Sequence, residues 1–242
     1  MAWSIFNYPR SFFHRYPVLN WLHIITGLAL LSASLMSYSF WPTPVLWISR
    51  AFFLVTSIGI WTIGLMEIIE IHMVVYKARG EKQIQVMIVD ACFSPSKFTG
   101  AISGWVFFIG GKTIIAASIL QLTVFTPSPV VRIGTAIYIF STACFSFATY
   151  LGFCLQHSQQ WESYAENFLY YWLVTLYNCI LGFYLCASIL LLTANIISIA
   201  HCPGECSSII VSSFLVAGGV MFLLGAFAKM LQACLIRHFV IK

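Results

Sequence analysis

Charge is what this sequence has least of: Asp, Glu, Lys and Arg make up 8% of its 242 residues, while 60% are hydrophobic. So few polar side chains cannot coat a water-soluble globule, which excludes an ordinary soluble domain and makes lipid the solvent. The twelve Lys and Arg never form a run, so the formal net charge of +5 implies no nucleic-acid partner. Catalytic signatures are also missing: there is no phosphate-binding glycine loop, no Gly-x-Ser-x-Gly elbow, no His-Glu-x-x-His and no EF-hand loop. The first apolar run has no small-residue cleavage site of the signal-peptide kind, so the first helix is expected to be retained.

What the sequence does have is long apolar runs. Six of them, each near or above the ~20 residues a membrane-spanning helix needs, predict an all-α polytopic bundle with helices over about 21–40, 47–76, 101–125, 130–155, 168–200 and 208–237. Residues 1–20 read as an interfacial segment, 77–100 as a polar loop and 238–242 as a tail. Trp41-Pro42-Thr43-Pro44 and Thr126-Pro127-Ser128-Pro129 are turn signals, and Pro203-Gly204 is a third. The helices therefore fall into three hairpins forming one transmembrane domain.

Basic residues in the flanks set the orientation. Arg10, Arg15, Lys77, Arg79, Lys82, Lys97, Lys229, Arg237 and Lys242 fall on one side, against Arg50 and Arg132 on the other. Both termini and the 77–100 loop are thus predicted to be cytoplasmic. Trp21, Trp105 and Trp161 on that side, and Trp41 and Trp47 on the other, lie near predicted helix ends, where indoles anchor in the headgroup layer.

The first two hairpins share a faint repeat. Trp21, Gly27 and Ala33-Ser34-Leu35 before PTPV correspond to Trp105, Gly111 and Ala117-Ser118-Ile119 before PSPV, at an offset of 84 to 85 residues; the third hairpin keeps only Ala187-Ser188-Ile189. Such a pattern suggests duplication of a two-helix unit, although chance matches are frequent in apolar segments. Small residues at four-residue spacing, such as Ala29, Ala33 and Ser37, mark places where helices can approach closely.

An ionisable side chain in mid-span costs roughly 2.5 to 3.5 kcal/mol on insertion scales, so each is a candidate for function. Glu67 and Glu70 lie three apart on one helical face, and Lys112 sits about eleven residues into the next helix from the same side. These three form the predicted intramembrane charged cluster, with Glu67 the better partner for Lys112; its structural reading is a packing ion pair. Lys229 is read as snorkelling to the interface.

No metal site is predicted, because His72 stands two residues after Glu70 and five after Glu67, not the three that a Glu-x-x-His motif needs. Haem ligation by the interfacial histidines, His23, His72 and His157, is a remote reading. Cys144, Cys154, Cys179, Cys186 and Cys234 lie in apolar segments and read as small hydrophobes. Cys202 and Cys206 flank a Pro-Gly turn in a polar loop and form the candidate disulfide.

The sequence thus points to a multi-pass membrane protein that organises the bilayer or assembles complexes without catalysis. The alternative is a small channel or carrier using Glu67, Glu70 and Lys112, with Asn178 and Asn195 as further polar groups; an intramembrane enzyme or haem protein comes third. No cofactor is implied, and the expected partners are the bilayer, other membrane proteins or further copies of the chain.

Overall fold

A computed structural model describes residues 18–79, 95–123, 129–160, 168–200 and 205–239, with side chains placed for 19–66, 105–123, 130–151, 175–200 and 208–235. The described residues form six helices and no strand: α1 Val18–Leu35, α2 Thr43–Arg79, α3 Pro95–Thr123, α4 Pro129–Gln160, α5 Phe168–Ala200 and α6 Glu205–Phe239. The chain is an all-helical polytopic bundle. Five stretches are long and apolar enough to cross a membrane: Thr43–Met66, Trp105–Thr123, Val130–Leu151, Thr175–Ala200 and Ser208–Leu235. α1 supplies the shorter apolar stretch Leu19–Leu35.

Apart from those of α5, the helix ends differ by one to six residues from those read in the sequence, α3 beginning at Pro95 rather than near Ala101 and α4 running to Gln160 rather than Leu155; two of the differences have local reasons. α1 stops at Leu35 rather than near Phe40 because polar side chains take over the last carbonyls. Ser37 donates from both its amide (3.2 Å) and its Oγ (2.7 Å) to Ser34 O, and the Trp41 indole donates to Leu35 O at 3.0 Å. α2 begins at Thr43 rather than Trp47. Its Pro44 lies in the first turn, where the missing N–H has no carbonyl to bond in any case, and the amides of Val45 and Leu46 reach back to Pro42 O.

Each helix packs against the next in sequence, and α6 packs against α1, so the six close into a ring. Neighbours run antiparallel. Along α1·α6, Ser39 meets Ser208 and Ser37 meets Ser212 at one end, and His23 meets Lys229 toward the other. The end at which α1, α3 and α5 begin is called here the near end, and the opposite one the far end.

Side chains sort inside-out. Each helix carries one exposed apolar stripe, represented by Leu28, Val55, Ile119, Phe140, Ile189 and Phe227. The faces turned inward hold small and hydroxylated residues, including Ala33, Ser57, Ala117, Ser141, Ala194 and Ala226. This is the arrangement expected where lipid already satisfies large apolar groups and helices associate through close packing and hydrogen bonds. Two glycines take the tightest backbone approaches: a Cβ on Gly111 would stand 2.9 Å from Trp61 Cα, and one on Gly219 would stand 3.1 Å from Leu31 Cα. Gly111 thereby seats α3 against α2, and Gly219 seats α6 against α1.

The repeat seen in the sequence reappears in the packing of all three hairpins. Ala33, Ala117 and Ala187 are 0%, 0% and 1% exposed, and Ser34, Ser118 and Ser188 are 0%, 2% and 6% exposed. The residues that follow, Leu35, Ile119 and Ile189, are 49%, 47% and 48% exposed. The second helices of the first two hairpins stay in step as well. At an offset of 85, Ser49 and Gly134, Thr56 and Ser141, Ser57 and Thr142, Ile60 and Phe145, and Ile63 and Ala148 are all buried. The three first helices, α1, α3 and α5, therefore present the same face to the interior at corresponding heights.

Candidate functional site

The polar groups of the interior gather in two places. In the far half, α2, α3 and α4 are joined through one hydroxyl, that of Ser118. Its Oγ lies 2.6 Å from Ser57 Oγ, 2.6 Å from Tyr138 Oη and 2.9 Å from Ile114 O. A hydroxyl has one proton, and Ser57 Oγ and Ser118 Oγ each also have a carbonyl of their own helix in reach, Phe53 O at 2.7 Å and Ile114 O at 2.9 Å, so whichever of the two donates to the other gives up its carbonyl. One turn beyond, Arg50 of α2 donates from Nη1 to Gln121 O at the end of α3, 2.9 Å away. Thr113 and Ser141 repeat the device between α3 and α4 at 2.7 Å.

In the near half, Lys229 of α6 is half-buried and its Nζ lies 3.1 Å from Nε2 of His23, which is buried in α1. An ammonium only donates, so His23 Nε2 is the acceptor and the ring proton sits on Nδ1. Nδ1 then donates to Leu19 O, one turn back on the same helix, at 2.8 Å. The His23 ring also lies 6.0 Å, centroid to centroid, from that of Tyr184 on α5, which covers Gly225 of α6 and lies 5.2 Å from Phe222. Three helices thus enclose one imidazole with a fixed tautomer that holds a lysine. Lys229, read in the sequence as snorkelling to the interface, thus has a partner in His23 that the sequence did not suggest. Its signal in the sequence was weak: Lys229 and His23 are 206 residues apart, and only closure of α6 on α1 brings them to one height.

Lys112 lies elsewhere. It is exposed on the outward stripe of α3, with Nζ 5.0 Å from the centroid of Phe108 one turn toward the near end. Trp105 stands edge-on to the same ring at 6.0 Å, and Trp61 of α2 lies 6.1 Å from it. The Trp61 indole N–H is buried and has no hydrogen-bond acceptor among the described residues. Glu67 and Glu70 lie on α2, but their side chains fall outside the described residues. The same holds for Cys206, in the first turn of α6, and for Cys202. Cys144, Cys179, Cys186 and Cys234 are free thiols. Asn195 donates to Leu191 O of its own helix at 2.9 Å.

Among the described residues no group of three His, Cys, Asp or Glu side chains is placed to hold a metal ion. Comparison with family models, curated proteins and solved structures returned no match to the chain.

Proposed function

We propose that this protein is a non-catalytic, multi-pass membrane component that organises the surrounding bilayer or assembles with partner proteins. One observation carries the reading: the interior hydroxyls and the His23–Lys229 pair bond across helix seams. Polar groups used in this way hold helices together; a permeation path needs a file of groups facing water or solute. Lys112 supports the same reading, because it lies on the outward stripe, where a path through the ring would not meet its ammonium.

The competing reading, a small channel or carrier, draws on the buried His23–Lys229 pair and on the repeated hairpins. Flux separates the two. Purified protein in liposomes is expected to pass protons, potassium and chloride no faster than protein-free liposomes. Crosslinking in native membranes is expected to trap it in species larger than the single chain. A protein-dependent flux that disappears in Lys229→Met or Glu67→Gln would establish transport and end the scaffold reading.

A further inference from the structure

Lys112 is a cation on the face that α3 turns to lipid, in a stripe otherwise formed by Trp105, Ile109, Ala116 and Ile119. Among the described residues its ammonium forms no hydrogen bond or ion pair and stands over the Phe108 ring, 5.0 Å from its centroid. The two indoles beside that ring, those of Trp61 and Trp105, are donors and bring no acceptor. Among the described side chains the local chemistry therefore has charge and donors and no anion.

The direction of the side chain indicates where the anion comes from. Lys112 folds back over Phe108, one turn closer to the near end, instead of reaching across the midplane. Trp105 lies seven residues below Lys112, roughly 10 Å along the axis, and is exposed to the lipid side. An outward indole at that level marks the headgroup boundary, and a lysine stem laid along apolar surface delivers its ammonium toward it.

We propose that Lys112, Phe108 and Trp105 form a binding site for the phosphate of an anionic phospholipid in the leaflet at the near end. Phe108 stacks under the ammonium and holds it in place, Trp105 packs against the glycerol region, and the phosphate supplies the acceptor oxygens. A carboxylate from a partner helix is the competing occupant. It fits less well, since a helix lying in the bilayer would meet the stripe along its length, whereas the ammonium is drawn toward one end of it. The site stands independently of whether the protein is a scaffold or a carrier.

Native mass spectrometry of protein released from mixed phosphatidylglycerol and phosphatidylcholine nanodiscs tests the proposal. Wild-type protein is expected to retain phosphatidylglycerol preferentially, and Lys112→Gln to lower that preference about fivefold, as loss of one basic residue at an anionic surface does. Lys112→Arg should keep it, and so should Arg132→Gln, which removes an exposed cation at the far end. Should Lys112→Gln fail to fold, raising the salt concentration on wild-type protein replaces it, and retained lipid that is indifferent to salt sinks the proposal. An unchanged lipid preference in Lys112→Gln overturns it. So does loss of a bound acidic protein from that variant with lipid retention unaltered.

Discussion

Ser34 and Ser118 occupy corresponding places in α1 and α3, are both buried and both donate to the carbonyl four residues back, at 2.7 and 2.9 Å. What separates them is the neighbouring helices. Ser34 Oγ bonds only within α1, whereas Ser118 Oγ also shares hydrogen bonds with Ser57 Oγ of α2 and Tyr138 Oη of α4. Removing Ser118 Oγ takes the hydrogen-bond partner of the buried Tyr138 hydroxyl and one of two from Ser57, which keeps Phe53 O at 2.7 Å, while removing Ser34 Oγ frees a carbonyl already used by its own helix. Ser118→Ala is therefore expected to lower stability by about 1 to 2 kcal/mol, near the upper range for interhelical hydrogen bonds in bilayers, and Ser34→Ala by a few tenths. Thermal unfolding of the two variants in one detergent decides it, and equal losses would show that the three-helix hydroxyl junction contributes nothing. The His23–Lys229 contact calls for a double-mutant cycle. His23→Leu and Lys229→Met should show a coupling of about 0.6 to 1.7 kcal/mol. Additive losses would mean that the 3.1 Å contact carries no energy.

At the scale of elements, helix existence was legible in the sequence because apolar runs bounded by Pro-x-Pro turns leave the backbone no other way to satisfy its hydrogen bonds in lipid. Helix ends were less legible. The first turn of α2 incorporates a proline that reads as a breaker, and α1 closes early on serine and tryptophan donors that hydropathy does not weigh. The site was legible in part. Lys112 stood out by its charge, but which face it occupies depends on how α3 rotates to seat Gly111 on Trp61, and no residue count reveals that rotation. This seating is itself testable. A side chain at Gly111 must displace the α2 backbone, so Gly111→Val is expected to cost about 2 kcal/mol or more by overpacking. Gly182 in α5 has nothing within 4 Å of a Cβ, so Gly182→Ala should be neutral or slightly stabilising through its better helix propensity. Comparable losses in both would mean that α2 and α3 do not approach as described.

Across the whole molecule, the three hairpins share a direction and a buried Ala-Ser step in their first helix, and the first two also match in their second helix, so going round the ring sets like hairpins side by side. A chain of such units gains a self-contained interior only if the last helix returns to the first; an open row would leave the inward faces of α1 and α6 each short of a neighbour. Sequence could not show this return, because α1 and α6 share no connection and their contacts span 169 to 206 residues. Ring closure is therefore the property of the fold most worth direct proof. Ser39 Oγ and Ser208 Oγ lie 2.7 Å apart at the far end of the α1·α6 seam, and Ser57 Oγ and Ser118 Oγ lie 2.6 Å apart inside the α2·α3 pair. On a background without native cysteines, Ser39→Cys with Ser208→Cys is expected to form a disulfide on mild oxidation within a single chain. Ser57→Cys with Ser118→Cys serves as the positive control for two helices that are consecutive in the chain. Crosslinking of the control pair alone would show that α6 does not return to α1. A disulfide of the first pair that joins two chains rather than closing within one would show instead that the seam is closed by a second copy, and the enclosed His23–Lys229 pair would then belong to a dimer interface.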